Sequence, residues 1–321
     1  MITTWSIPDK VEDLYPQKAL ELEKNRRALV DFFLKNKFEL ISPAMIEYAD
    51  NVSFNGKSVD SDMFKLSDPL SSGRLIGITP DLTIQTARID NYLASSSTDI
   101  KSYCYCGPVL KADTSSFNQS REELQVGVEI YGNEKVEADI TVVSTLINAF
   151  KLLKIKDILL SFNDITIYTE FLKSLALSAH DSKQLRSFFA KKDLISIKNL
   201  LGKNINSDKI SKIELFMDMF GNDKSFKKIQ EFFVGNRVIL DRLKNLKKIM
   251  NALPSSVKII IDLSDVDFYE YHSGFIFSAY SSKYTSPIAK GGRFENLTTN
   301  FGKKRPAVGF TFDLRSLLFV G

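Results

Sequence analysis

Gln125 and Glu129 stand four residues apart in Leu124-Gln125-Val126-Gly127-Val128-Glu129-Ile130-Tyr131. On a strand that spacing puts an amide and a carboxylate on one face, where both offer oxygen acceptors to an ammonium group. Alternation by itself favours a plainer reading, polar side chains on a solvent-facing strand. Three more stretches carry polar groups at strand ends or faces: Thr79-Pro80-Asp81-Leu82-Thr83, residues 267–274, and Gly291-Gly292-Arg293-Phe294. Tyr269, Tyr271 and His272 form an aromatic, hydrogen-bonding group, equally readable as a core tyrosine pair beside a satisfied histidine. The paired glycines suggest a backbone that something approaches closely, although dinucleotide and P-loop patterns are absent. The chain has only two histidines, His180 and His272, so no Ser/His/Asp or Cys/His nucleophile set assembles. His180 reads as structural, at a helix end.

The elements that must position these groups follow from hydrophobic periodicity. Leu20, Leu22, Leu29, Phe32 and Phe33 predict an amphipathic helix over residues 15–37, with Pro16 in its first turn. Short strands are expected at 38–42, 64–66 and 75–78, and Asp81 is a candidate N-cap for a helix reaching residue 93. The clearest strands are 100–109 and 124–131, joined by a long polar loop. A helix is expected over 138–153. Residues 168–251 read as helical throughout, and strands return at 257–263, 275–280 and 307–310.

Composition narrows the classes. The chain has 321 residues, with 44% apolar and 26% charged, ordinary values for a globular protein with a sizeable core. No stretch has the apolar length of a membrane span, and no secretory signal is read at the start. Cys104 and Cys106 are read as pointing to opposite faces of a strand, poor partners for a disulfide or a metal, which fits a reducing, cytoplasmic setting. Residues 183–250 carry sixteen Lys/Arg against seven Asp/Glu, whereas the net charge of the whole chain is +4. A basic helical segment therefore sits in an acidic body. Nucleic acid is one partner for such a segment, a solvated face the commoner explanation.

In order, these stretches resemble the core of class II histidyl-tRNA synthetases over most of the chain. Residues 43–47 (Pro-Ala-Met-Ile-Glu) resemble the first class II motif, which builds that family's dimer interface. Residues 79–83 resemble its Arg-Pro-Glu-Gly-Thr, whose acid and threonine contact the histidine amino group. Residues 106–129 resemble the second motif and its loop, 269–277 the histidine-specific Tyr-Tyr segment, and 290–309 the Gly-Gly-Arg and third-motif region. The fold so implied is α+β: a class II synthetase-like antiparallel sheet flanked by helices, with a helical insertion. Residues 1–165 and 254–321 would form the core and 166–253 the insertion.

The departures fall on the nucleotide side. Lys111 stands for the second-motif arginine and Asp113 for its glutamate. Glu123 stands for the adenine-stacking phenylalanine, Asp267 for the catalytic arginine, and Ser316 for the third-motif arginine. The amino-acid side is kept better, and the candidate histidine-binding set is Asp81, Thr83, Arg121, Gln125, Glu129, Tyr269, Tyr271 and His272. No anticodon-binding domain is expected after residue 321. This combination resembles the ATP phosphoribosyltransferase regulatory subunits, a catalytically inactive synthetase-like family. Residues 120–132, 137–139 and 271–274 look close to that family, although Asp267-Phe268 replaces its usual Arg-Gly. The resemblance implies a partner, the short-form ATP phosphoribosyltransferase catalytic subunit in a hetero-octamer. It also implies self-association as a dimer, histidine as effector, and neither catalytic residue, cofactor, metal, membrane nor nucleic acid. The rival reading is an adenylate-forming histidyl-tRNA synthetase fragment.

Overall fold

The computed structural model describes residues 6–54, 57–58, 63–96, 98–112, 120–202, 207–266, 271–299 and 301–319. The first elements are α1 (Pro16–Lys35), β1 (Glu39–Leu40), β2 (Ile46–Tyr48), α2 (Ala49–Val52), β3 (Ser53–Phe54), β4 (Lys57–Ser58), β5 (Phe64–Ser67), β6 (Leu75–Ile78) and α3 (Leu82–Leu93). There follow β7 (Lys101–Leu110), β8 (Glu122–Tyr131), α4 (Val136–Leu152), β9 (Ile158–Asp164) and α5 (Ile165–Ser174). The helical stretch continues with α6 (Ala179–Ala190), α7 (Leu194–Leu201), α8 (Ser207–Met217), β10 (Phe220–Gly221), α9 (Asp223–Phe232) and α10 (Arg237–Ala252). The chain closes with β11 (Lys258–Asp262), β12 (Phe275–Ser281), β13 (Ala289–Arg293), α11 (Glu295–Thr299), β14 (Ala307–Asp313) and α12 (Leu314–Leu317).

A nine-stranded sheet organises the molecule, in the order β1-β7-β8-β14-β13-β12-β9-β11-β10. From β7 to β9 every neighbour is antiparallel, while β1–β7 and β11–β9 are parallel. The sheet is thus mixed at its margins rather than antiparallel throughout. Strand β9 was not expected from the sequence. Most of its residues are buried, and Ile-Leu-Leu-Ser-Phe-Asn-Asp lacks the alternation that marks a half-exposed strand. The stretch expected to be wholly helical also contributes β10, which pairs with β11 at the sheet edge.

One face of the sheet carries Val126, Val128, Phe310 and Phe312 into a continuous apolar cluster with α1 and α4. Leu29 and Phe33 are the buried residues of α1, whereas Leu20 faces outward. Phe171, Phe189, Phe216 and Phe233 of the helical stretch belong to the same cluster as Phe162 and Phe277 of the sheet. Phe171 and Phe216 stack with ring centroids 4.1 Å apart. Cys104 and Cys106 both pack on this side. Two residues apart on a strand means the same face, not opposite faces. Burial pushes their thiols up to about 11 and about 12.

The other face carries Tyr103 and Tyr131 against α3 and α11. Here Arg305, fully buried, ties the approach to β14 onto α3. Its Nε donates to Asp90 Oδ2 at 2.6 Å and its Nη2 to Asp90 Oδ1 at 3.2 Å, with further bonds to the carbonyls of Ser96 and Asp99. On the helix side Arg293 donates to the carbonyls of Asn133 and Lys135 just ahead of α4, and its Nε lies 2.8 Å from Asp139 Oδ1. Gly-Gly-Arg therefore ends in a clamp between sheet and helix. A separate three-stranded sheet, β2-β6-β5, flanks the large one.

Candidate functional site

The amide and carboxylate of β8 lie on the α3 face, and neither meets solvent: Gln125 is 3% exposed and Glu129 1%. The solvent-facing reading of this strand is therefore excluded. Asp81 caps α3 by accepting from the Thr83 backbone N–H at 3.0 Å. The same Oδ1 accepts from Gln125 Nε2 at 2.9 Å, and Gln125 Oε1 accepts from the Leu82 N–H at 2.7 Å. Asp81 Oδ2 accepts from the Tyr271 hydroxyl at 2.8 Å. One cap thus joins α3, β8 and the 271–274 segment.

Glu129 is held by two tyrosines. Tyr105, one strand over on β7, donates to Oε1 at 3.0 Å, and Tyr131 donates to Oε2. Thr83 Oγ1 lies 3.3 Å from the Tyr105 hydroxyl. Burial pushes the Glu129 carboxyl up to about 8; nearby Asp81 adds to the rise, and the tyrosine hydroxyls oppose it. Both tyrosines are themselves pushed well above their ordinary range by burial, then by Glu129. Two glycines make this packing possible. A Cβ on Gly127 would stand 2.5 Å from the Tyr105 hydroxyl, and one on Gly309 would stand 2.7 Å from Glu129 Cγ and 2.6 Å from the Val128 carbonyl.

A cleft opens beside Glu129, lined by Thr83, Tyr271, His272, Lys290, Phe294 and the backbone of β13 and β14. It has about 270 Å³ unfilled by atoms, open solvent included, but only about 20 Å³ is free to a water molecule, room for one ordered water. His272 is buried against Tyr271 with ring centroids 5.0 Å apart, and Phe294 meets Tyr271 edge-on at 6.1 Å. Chemically this is a set of acceptors for a positively charged group, with aromatic walls.

Of the eight candidate residues, Asp81, Thr83, Gln125, Glu129, Tyr271 and His272 converge here. Arg121 does not. It precedes β8 by one residue, placing it roughly 27 Å from Glu129 along the strand. Its guanidinium lies 4.7 Å over the Phe64 ring, and its Nε donates to the Lys111 carbonyl. Tyr269 lies outside the described residues, as do Asp267, Phe268 and Asp113. Sequence reading missed Tyr105 as a Glu129 partner. Tyr131, two residues beyond Glu129, shares its face by strand alternation.

The described residues at the resemblance's nucleotide positions, Lys111, Glu123 and Ser316, have other partners. Lys111 Nζ lies 2.6 Å from Glu123 Oε1, both side chains largely buried. Asp313 caps α12 through the N–H groups of Arg315 and Ser316, and the Ser316 hydroxyl donates to it as well. Burial, then Glu123, pushes the Asp313 carboxyl up to about 6. A cation that could receive a phosphate is thus already neutralised, and the serine at the arginine position is engaged in a helix cap. Among the described residues, no group of three or more His, Cys, Asp or Glu could hold a metal ion, and no helix is long and apolar enough to cross a membrane.

Comparison with known proteins gives concordant results. A family profile described as histidyl-tRNA synthetase matches residues 10–317. An ATP phosphoribosyltransferase regulatory subunit from Methylobacillus flagellatus is 31% identical over 316 residues, covering 98% of this chain and 81% of the relative. One from Thiobacillus denitrificans is 31% identical over 333 residues, covering 100% and 99%. Among solved structures, an ATP phosphoribosyltransferase regulatory subunit/histidyl-tRNA synthetase from Bacillus halodurans superposes with a TM-score of 0.86 at 19% identity, covering 100% of this chain and 84% of that one. That likeness bears out the class II synthetase-like α+β fold.

Proposed function

This chain belongs to the family of ATP phosphoribosyltransferase regulatory subunits, within the wider histidyl-tRNA synthetase family, and from that membership we propose that it assembles with a short-form catalytic subunit for the first step of histidine biosynthesis. It is a regulatory chain, not the catalytic one. Its contribution is to hold the catalytic partner in an active arrangement and to sense histidine, in the cytoplasm. The observation that carries this reading is an asymmetry. The candidate ammonium acceptors Asp81, Gln125 and Glu129 are buried, Asp81 bonded to Gln125 and Glu129 to two tyrosines, while Lys111 and Glu123 neutralise each other where a nucleotide would need free positive charge.

Histidine would set its ammonium against Glu129 and Asp81 and its imidazole among Tyr271, His272 and Phe294. So little of the cleft is free that seating the ligand requires these side chains to shift. Regulation needs that property, because a ligand moves an equilibrium only by preferring one of two arrangements.

Self-association has a surface to use. Cross-strand register puts Ile46, Tyr48, Phe64, Leu66, Ile76 and Ile78 on one face of the three-stranded sheet, with Ile46 and Leu66 more than half exposed. A self-complementary apolar face suits a two-fold dimer, from which a hetero-octamer with the catalytic subunit would be built.

The test is to co-purify the chain with a short-form ATP phosphoribosyltransferase and assay the complex with and without histidine. Stable association, raised activity and inhibition by histidine are expected. Absence of association would sink the reading. The purified chain should also give no histidine-dependent ATP–pyrophosphate exchange; robust exchange would favour the adenylate-forming alternative.

A further inference from the structure

An amino acid brings a carboxylate as well as an ammonium, and the acceptors around Glu129 and Asp81 answer only the second. The resemblance places the catalytic arginine of the histidine-specific segment at position 267, where this chain has Asp267, of the wrong charge for a carboxylate, and Arg121 lies far down β8. We infer that Lys290 is the carboxylate anchor of this cleft, so that the site is specific for a zwitterionic α-amino acid over the corresponding amine. The inference rests on the reading of the cleft as an amino-acid pocket and names the residue that completes it.

The placement follows from strand register. Glu129 stands opposite Gly309 in β14, and Gly309 opposite Gly292 in β13. Lys290, two residues from Gly292, therefore faces the same side of the sheet as Glu129. Its Cα is two strands across and two residues along, roughly 10 Å by roughly 7 Å. Lys290 and Glu129 both line the cleft, with β14 between their strands, and the side-chain shifts that admit the ligand open the space between them. Thr311, opposite Lys290 in β14, and Thr83 of α3 line the gap with hydroxyls. The strand backbone beneath it carries no side chain at Gly309, where a Cβ would meet the Glu129 stem.

Lys290 is half-buried and is the single Lys or Arg among the described residues that line the cleft. Its ammonium makes no ion pair or side-chain hydrogen bond with any described residue. A partly desolvated cation with no counter-charge among the described residues is unfavourable, and an arriving carboxylate relieves it. The clamp residue Arg293, three positions on, cannot serve, because it faces α4 and is held by Asp139 and two carbonyls.

The experiment is calorimetric titration of the full chain with L-histidine and with L-histidinol, which carries a hydroxymethyl group in place of the carboxylate. Wild type is expected to bind histidine at least tenfold more tightly than histidinol. Lys290→Met should lower histidine affinity at least tenfold and leave histidinol within twofold, and Lys290→Arg should restore most of the loss. Thermal melts establish that the variants fold, and Lys290→Gln replaces the Met variant if that one does not. If Lys290→Met binds histidine as wild type does while Glu129→Gln has lost it, the pocket stands and the anchor is wrong. If the wild type binds neither ligand, the pocket reading fails and takes the anchor with it.

Discussion

Burial keeps the Glu129 carboxyl protonated up to about pH 8 in the folded chain, and this fixes the sign of two measurements. In the unfolded chain the group ionises near its ordinary value of 4.5. Between the two values the unfolded state has released a proton that the folded state retains, so stability falls as pH rises through that window and levels off above it. Glu129→Gln, which cannot ionise, should therefore be more stable than wild type at pH 7, by an amount on the order of 3 kcal/mol. The two should converge at pH 4.5; parallel Tm-against-pH curves would contradict this. Binding an ammonium favours the carboxylate, so histidine should release up to one proton per site near pH 7. Calorimetry in buffers of different ionisation heat reads that number directly. Arg305 makes a different kind of prediction. It and Asp90 are buried together, and removing one partner strands the other charge. Arg305→Ala should therefore destabilise the chain by about 3–5 kcal/mol in urea unfolding. Nothing in Lys303-Lys304-Arg305 distinguished it from a solvated basic run, whereas Gln125 and Glu129 declared their shared face through spacing. Their burial depended on α3 arriving over that face, which spacing does not encode.

Strands that pack closely must leave room for the side chains of their neighbours. Gly309 faces Glu129 across β8 and β14, and an added methyl would press on both the glutamate stem and the Val128 carbonyl. Gly309→Ala should cost about 1–3 kcal/mol of stability and weaken histidine binding beyond that, because Glu129 has to move. Binding that survives in the folded variant would show that the Glu129 position is not critical. Helix α3 was legible because its cap, Asp81, is a sequence signal. Strand β9 was not, because burial on both faces erases alternation. Two-residue β10 was invisible for another reason. Its strand character comes from pairing with Ile261 and Asp262, far along the chain, and no local pattern records that.

At the scale of the molecule, the resemblance carried the fold, and pattern reading alone would have delivered only an α+β core interrupted by helices. The apolar face of the three-stranded sheet escaped notice because its alternation is spread over three short strands. If that face joins two copies, Ile46→Glu with Leu66→Glu should give a monomer in light scattering while the melting temperature of the fold barely changes. An unchanged dimer would move the interface elsewhere. The helical stretch shares one apolar cluster with the sheet, so heat should unfold the chain in a single transition. The Lys111–Glu123 pair has a consequence for life inside a cell. Where ATP is abundant, a sensor with an open triphosphate cradle would report energy supply and amino-acid supply together. If the chain senses histidine as proposed, a cradle closed by its own counter-charge makes the signal depend on histidine alone. Histidine titrations run with and without magnesium ATP should then superimpose.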